Sequence, residues 1–241
     1  MEVHHHPQIE KKHLKEYFLE FLMIFLAVTL GFFAENFREY ISEGERARQL
    51  ASQLIRDLAT DTVALHQIDS AESLIHDSED SLSIIAQLPL EKLDMKNFQI
   101  LVARVMSFWP FYGATGAITA IKNELHLKQL ANSDLANLIA RYEGRSDILH
   151  QVEGLLTRMH KEQIETFAEM HFTQRNMNDL FVSYLKPDGQ VRNLTQDDLT
   201  QLGVNLVMIR STNNQLIQYN RLLKGQAIAM IEYVERRFDV Q

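Results

Sequence analysis

A long apolar segment lies near the start of the chain and reads YFLEFLMIFLAVTLGFFAENFREY, from Tyr17 to Tyr40. No charged residue occurs between positions 21 and 34, and Glu20 interrupts the apolar run close to its beginning. A helix rises about 1.5 Å per residue, so a membrane span needs roughly 17–25 mostly apolar residues. The segment reaches that length when Glu20 lies at the membrane surface. It therefore predicts a transmembrane helix over residues 17–37.

Two other interpretations of this segment remain open, namely a cleaved export signal and a buried core helix. An export signal has basic residues before its apolar part and small residues at its cleavage site. Lysines do precede the segment, but Phe32 and Phe33 stand where small residues are needed. We therefore favour an uncleaved anchor in the inner membrane, with a short polar tail at residues 1–16 and a body at residues 38–241.

The charges around the span give a weak indication of its orientation, because cytoplasmic flanks are enriched in Lys and Arg. Three lysines precede the span and three arginines follow it: Lys11, Lys12, Lys15, Arg38, Arg46 and Arg48. The lysine- and histidine-bearing tail and the acidic remainder favour a cytoplasmic tail and a periplasmic body.

One face of the predicted span is small or polar, whereas the opposite face is bulky and suited to lipid. The small or polar face comprises Tyr17, Glu20, Ile24, Ala27, Gly31 and Ala34. Ala27 and Gly31 are four residues apart, and small residues at this spacing let membrane helices approach closely. A carboxylate near the membrane edge is costly unless it is hydrated or partnered. Either this face packs against another membrane helix, most simply a second copy, or Glu20 reaches the head groups and the face has no partner.

Beyond the span, apolar residues recur every three or four positions, which indicates an amphipathic helix. The stripe comprises Ala47, Ala51, Leu54, Leu58, Leu65 and Ile68, with a polar gap at Asp61 and Thr62. It predicts either packing inside the chain's own bundle or a stalk that pairs between chains as a coiled coil. The more polar segment at 69–81 predicts a bend or a break in this helix.

The rest of the chain has the same helical pattern and few turns, since it contains only nine Gly and four Pro among 241 residues. Asp94 is a suitable N-cap for a second helix, and Thr195 with Asp198 predicts a capping box for the last one. The KPDG sequence predicts a turn within a loop near 173–195. The fold class is therefore all-α, with an N-terminal transmembrane helix that continues into an antiparallel helical bundle.

Two segments resemble a class of small single-span proteins of unknown function that is common in Bacteroidota. The first is HLKEYFLEFLMIFLAVTLGFFAENFREY, and the second is ITAIKNELHLKQLANSDLANLIARYE, which ends with Ile139 and Tyr142 at positions typical of the class. Glu124, Leu125 and His126 stand where the class often has Ser-Gly. The resemblance implies an anchored helical protein and brings no known activity or site.

Composition and motifs argue against several kinds of chemistry. The formal net charge of -8 disfavours nucleic-acid binding, which needs a basic face. The absence of cysteine excludes thiolate catalysis and cysteine-ligated metals. No phosphate loop or serine elbow occurs, and the Glu-x-x-His spacing is found only at Glu2–His5 and Glu10–His13 in the short N-terminal tail. We predict no catalytic, cofactor-binding or metal-binding residues, and we interpret the glutamates of HKEQIETFAEMH as a solvated face flanked by exposed His160 and His171.

An aromatic segment, SFWPFYGATG, holds the only tryptophan of the chain. Trp109, Phe111 and Tyr112 either line a ligand pocket or plug the end of the bundle. We predict a membrane-anchored helical scaffold or interaction protein without catalytic activity. Its partners would be the lipid bilayer and either itself or another membrane protein. The alternative is an envelope ligand-binding or sensory bundle with an aromatic pocket near Trp109.

Overall fold

The computed structural model describes residues 14–124, 128–131 and 133–240, and these residues form helices without any strand. The α-helices are α1 (Leu14–Ile85), α2 (Met95–Val105), α3 (Gly116–Asn123), α4 (Lys128–Ala131), α5 (Leu135–Met159), α6 (Thr166–His171), α7 (Gln174–Phe181) and α8 (Gln196–Phe238). A 3-10 turn (Leu90–Lys92) precedes α2, and a π-helical segment (His160–Glu165) joins α5 to α6. The predicted all-α fold is confirmed.

Helix α1 is continuous over 72 residues and divides into two parts with different surroundings. Its first part is exposed to solvent, apart from the half-buried Thr29, Glu43 and Gly44, until its buried face begins at Ala47. The predicted bend or break at 69–81 is wrong, since the helix runs unbroken to Ile85. Most of the predicted tail 1–16 lies outside the described residues. In the described part of the chain, α1 alone is long and apolar enough to cross a membrane.

The core of the body is built from α1, α5 and α8. Helix α8 runs antiparallel to α1, since Arg210 pairs with Asp80 and Arg221 pairs with Asp69 further along α8. It is also antiparallel to α5. Helices α1 and α5 run parallel. Asp61 of α1 contacts Tyr142 of α5, and eighteen residues further along each segment Glu79 approaches His160. The apolar stripe that starts at Ala47 is buried in this core, as expected for packing within the chain's own bundle.

The helix starts that the sequence predicts are present. The Asp94 carboxylate accepts hydrogen bonds from the backbone N–H groups of Lys96 and Asn97. Thr195 and Asp198 form the predicted capping box at the start of α8. The loop predicted near 173–195 is only partly a loop, because α7 occupies its first half. Thr173 caps that short helix by accepting a hydrogen bond from the N–H of Asn176.

Candidate functional site: an aromatic loop held by buried carboxylates

The segment between α2 and α3 forms a loop that lies across α1 and α5, and we call residues 107–115 the aromatic loop. Its central side chain, Phe111, is fully buried, and its ring lies against that of His150 at 6.2 Å between centroids. Gly113 lets the backbone fold back over this ring, since a Cβ there would lie 3.1 Å from the Phe111 side chain. The loop therefore has a fixed path although it has no regular structure.

The backbone of the aromatic loop is held by a carboxylate of α5. The N–H of Phe111 donates a hydrogen bond of 2.8 Å to Glu153, and His150 contacts the other oxygen of Glu153 at 2.8 Å. The carboxylate is buried, whereas the His150 side chain is 45% exposed. Glu153 thus satisfies a loop N–H that would otherwise be buried without a partner.

Two aspartates of α1 hold the second half of the loop and the start of α3. Asp61 accepts hydrogen bonds from the N–H of Ala114 at 2.9 Å and from the hydroxyl of Tyr142 at 2.7 Å. Burial raises the pKa of Asp61, and these two hydrogen bonds oppose the rise. Asp57 accepts from the N–H of Ala117 at 2.9 Å, so it satisfies one of the donors left free at the start of a helix.

A second glutamate, Glu72, lies beneath the start of the loop. Its pKa is raised to about 8, mainly because burial removes the carboxyl group from water and also because Glu79 and Glu153 are near. The backbone N–H of Trp109 lies close enough to oppose this rise. Neither carboxyl oxygen has a partner within hydrogen-bond geometry in the described part of the chain. Glu72 is therefore a neutral acid at pH 7.

A further buried carboxylate, Glu79, lies on the same face of α1, where α1 and α8 meet the π-helical segment. Glu79 is fully buried and accepts a hydrogen bond of 3.2 Å from the side-chain amide of Asn213. Its other oxygen lies 3.9 Å from Nε2 of His160, too far for a direct hydrogen bond. The prediction that His160 is exposed is wrong, because His160 continues the buried face of α5 four residues after Leu156 and is only 6% exposed.

His171 also lies in the core, which contradicts its predicted exposure. Its ring packs against Phe167 at 4.7 Å between centroids, and Nδ1 lies 3.1 Å from the carbonyl oxygen of Arg192. The chain that follows α7 comes back over α6 and covers this histidine. Glu162 and Glu169, by contrast, are exposed.

The buried polar residues share an excess of negative charge. Asp61, Glu72, Glu79 and Glu153 are each at most 5% exposed, and no Lys or Arg is buried among the described residues. Burying a carboxylate is costly unless hydrogen bonds or a proton compensate, and burial raises the pKa of Glu72, whose oxygens have no partner among the described residues. Within the described ranges, no group of three or more His, Asp and Glu side chains is arranged to hold a metal ion.

The structure separates the three aromatic residues that the sequence singled out. Phe111 is buried under the loop, whereas Trp109 and Tyr112 are 59% and 83% exposed. Trp109 lies between two surface grooves, a 580 Å³ groove against α1 and α2 and a 500 Å³ groove that Tyr112 also lines. Phe111 lines neither of them.

The predicted contact face of the span lies on the isolated part of α1. Tyr17, Glu20, Ile24, Ala27, Gly31 and Ala34 are all exposed. A Cβ added at Gly31 would meet no atom within 4 Å, so the fold of the single chain does not require a glycine there.

Sequence reasoning missed the buried acids, although the pattern contained a signal for them. Residues 54, 58, 61, 65, 68, 72, 75, 79 and 82 alternate steps of four and three along α1, and all nine are buried. Asp61, Glu72 and Glu79 occupy three of these positions. An acid in phase with an apolar stripe indicates a buried carboxylate, whereas one out of phase indicates a solvated face.

Comparison with known proteins finds no matching family model, no similar characterised protein and no similar solved structure.

Proposed function

We propose that this chain is a membrane-anchored helical scaffold or interaction protein without catalytic activity, a subunit of a homo- or hetero-oligomeric assembly in the inner membrane with its body in the periplasm. The observation that carries the proposal is the continuity of α1, whose exposed apolar half and buried half form one helix. An apolar segment that is exposed over its whole length in the described structure, apart from the half-buried Thr29, fits lipid better than water. The same helix would hold the body at a fixed height above the bilayer.

The contacts of the buried carboxylates support a role other than catalysis. Asp57, Asp61 and Glu153 each accept a hydrogen bond from a backbone N–H of the aromatic loop or of the helix that follows it. A general base must instead reach a proton of a bound substrate. The acids therefore hold in place a loop that presents Trp109 and Tyr112 at the surface.

Membrane attachment is tested by flotation of the expressed chain through a density gradient, followed by carbonate extraction. We expect the wild type to stay with the lipid fraction at full-length mass, and a Phe25→Asp/Leu26→Asp variant to be lost from it. Ile84→Asp, which alters an equally exposed residue at the far end of α1, is the control. A shortened mature chain would identify a cleaved signal, and carbonate release of the wild type would contradict the anchor.

Self-association through the span is tested with single cysteines, because the natural chain has none. We expect a cysteine at position 27 to crosslink and one at position 25, on the bulky face, not to do so. Gly31→Leu should disrupt the assembly because it fills the close-approach surface, whereas Phe25→Leu should not. Equal crosslinking from both faces, or none from either, would remove the predicted contact face.

A ligand-binding or sensory bundle is the second candidate, and the 580 Å³ groove beside Trp109 favours it. Small-molecule sites have volumes of about 300–1,000 Å³. Titration with low-molecular-mass envelope extract tests this candidate, because Trp109 is the sole tryptophan and its emission reports on the groove. No change in emission would speak against it.

A further inference from the structure

We propose that the surface beside the aromatic loop is the docking site for an amphipathic helix of a partner protein. This inference rests on the proposed function as an interaction protein, and it identifies the surface that would bind the partner. The docking groove is formed by the two grooves on either side of Trp109, which share Trp109 and Ala71. On α1 it extends from Ala64 to Ser81, a length of about 26 Å at 1.5 Å per residue.

The length and openness of the docking groove favour a helix over a compact ligand. A helix of four to five turns is about as long as the groove, whereas a small molecule would leave most of it empty. The floor is apolar, with Ile75 and Leu101 buried beneath it. Leu74, Trp109 and Tyr112 project at its edges and are 69%, 59% and 83% exposed.

The backbone that carries Tyr112 is held in advance of binding. The backbone on either side of Tyr112 is fixed by the hydrogen bonds from Phe111 to Glu153 and from Ala114 to Asp61. Large aromatic residues on a fixed backbone lose little conformational entropy on association, which is why they dominate the energy of many interfaces. The buried acids therefore contribute to binding by fixing the loop.

Two charged side chains on the groove define the chemistry of the partner helix. Arg104 and Asp77 both line the docking groove and are exposed, and neither forms an ion pair within the described part of the chain. A helix that fits would carry an apolar stripe toward Leu74 and Trp109. It would also carry an acidic residue near Arg104 and a basic one near Asp77, and such pairs set register and specificity more than affinity.

The test uses the full chain in lipid nanodiscs and a synthetic amphipathic peptide of about 18 residues without tryptophan. The peptide carries leucines at helical spacing, with a glutamate and a lysine beside the stripe. A peptide of the same composition in scrambled order is the control. We expect the amphipathic peptide to shift Trp109 emission to shorter wavelength and to reduce its quenching by acrylamide, saturably, and the scrambled peptide to do neither.

Two exposed apolar positions provide matched variants. Leu74→Lys should weaken peptide binding at least about tenfold, because it replaces the apolar side chain that the peptide would bury with a charged one. Val207→Lys, which alters a 60% exposed residue on α8 outside the docking groove, should leave binding unchanged. Circular dichroism confirms that both variants are folded. Arg104→Glu should weaken binding, and a peptide with its glutamate changed to lysine should restore it.

Several results would overturn the inference. These are an equal response to the scrambled peptide, equal behaviour of the Leu74→Lys and Val207→Lys variants, and no response at all. Saturable binding of a short fatty acid without binding of the peptide would assign the groove to small amphiphiles. Self-association that Leu74→Lys abolishes would assign it to a second copy. If the chain is not anchored in the membrane, the flotation experiment would show it independently of peptide binding. The results that contradict the two proposals are therefore distinguishable.

Discussion

At the scale of single residues, the environment of each carboxylate decides its role. Asp61 and Glu153 are buried but hydrogen-bonded to loop N–H groups, whereas Glu72 is buried with both oxygens unpartnered in the described structure. A buried carboxylate without partners lowers its free energy by taking up a proton. The three acids thus differ in hydrogen bonding although they belong to one core.

The raised pKa of Glu72 predicts a dependence of stability on pH. The group titrates at about 8 in the folded chain and at about 4.5 when unfolded, so the folded state holds its proton over this interval. The resulting stabilisation is complete below about pH 4.5 and is lost as the pH rises through 8. At about 1.4 kcal/mol per pKa unit, the loss is on the order of 5 kcal/mol.

Glu72→Gln replaces the neutral acid with an amide that does not titrate. We expect this variant to lose the decline in stability between pH 5 and 9, as measured by urea unfolding in mild detergent. Glu169→Gln, which alters an exposed glutamate, should keep the wild-type decline. A wild type whose free energy of unfolding is flat over this range would show that Glu72 is ionised in the folded protein.

At the scale of elements, the apolar spacing of α1 was sufficient to predict its helix but not its length. Residues 69–81 contain many polar side chains, which suggested a bend, yet Ile75 and Leu82 keep the stripe in phase on both sides of Glu79. The α1 backbone depends on this local pattern and could be predicted. Burial of His160 follows a similar pattern, since it lies four residues after the buried Leu156 and seven after the buried Glu153. It was missed because His160 was assigned to the solvated face of the glutamates that follow it.

The candidate site was predictable only in part, for a related reason. Pro110 and Gly113 located the loop, and loops lie at the surface, but the sequence indicated a pocket or a plug for Trp109 and Tyr112, which are exposed. The carboxylates that hold the loop come from α1 and α5, more than forty positions away from it. Such pairs depend on the register between helices, which a single sequence does not display.

The stripe of α1 predicts that the body owes its stability to packing within one chain. Leu65 is fully buried, and Leu65→Ala should lower the free energy of unfolding by about 2–5 kcal/mol through lost contacts and a cavity. Leu74→Ala, at a position 69% exposed on the same helix, should change it by less than about 0.5 kcal/mol. Urea unfolding at several protein concentrations provides the measurement. A midpoint that depends on concentration would indicate pairing between chains instead.

At the scale of the whole molecule, α1 is the only element that joins the apolar segment to the body among the described residues. Among the described residues, positions 14–42 of α1 are exposed apart from the half-buried Thr29, and contact with the body begins near Arg46, which pairs with Glu124. The straightness of this exposed portion therefore depends on the hydrogen bonds of a single helix. If those hydrogen bonds persist, the membrane anchor and the core form one rigid body, and the aromatic loop stays at a fixed distance from the membrane surface.

Spin labels on cysteines at positions 33 and 60 measure this rigidity, since the natural chain contains no other cysteine. A straight helix places these positions about 40 Å apart, at 1.5 Å per residue. We expect one narrow distance distribution for the wild-type background. Glu39→Pro should shorten and broaden it, because proline removes a helix hydrogen bond and clashes with the preceding turn.

The same substitution separates rigidity from stability. Glu39 lies in the exposed portion of α1, so Glu39→Pro should leave the urea midpoint of the body unchanged, and Glu39→Ala should alter neither measurement. A broad distribution already present before the proline is introduced would mean that the anchor and the body are flexibly joined. In that case α1 would tether the aromatic loop to the membrane without setting its height, and a partner would have to reach it over a range of distances.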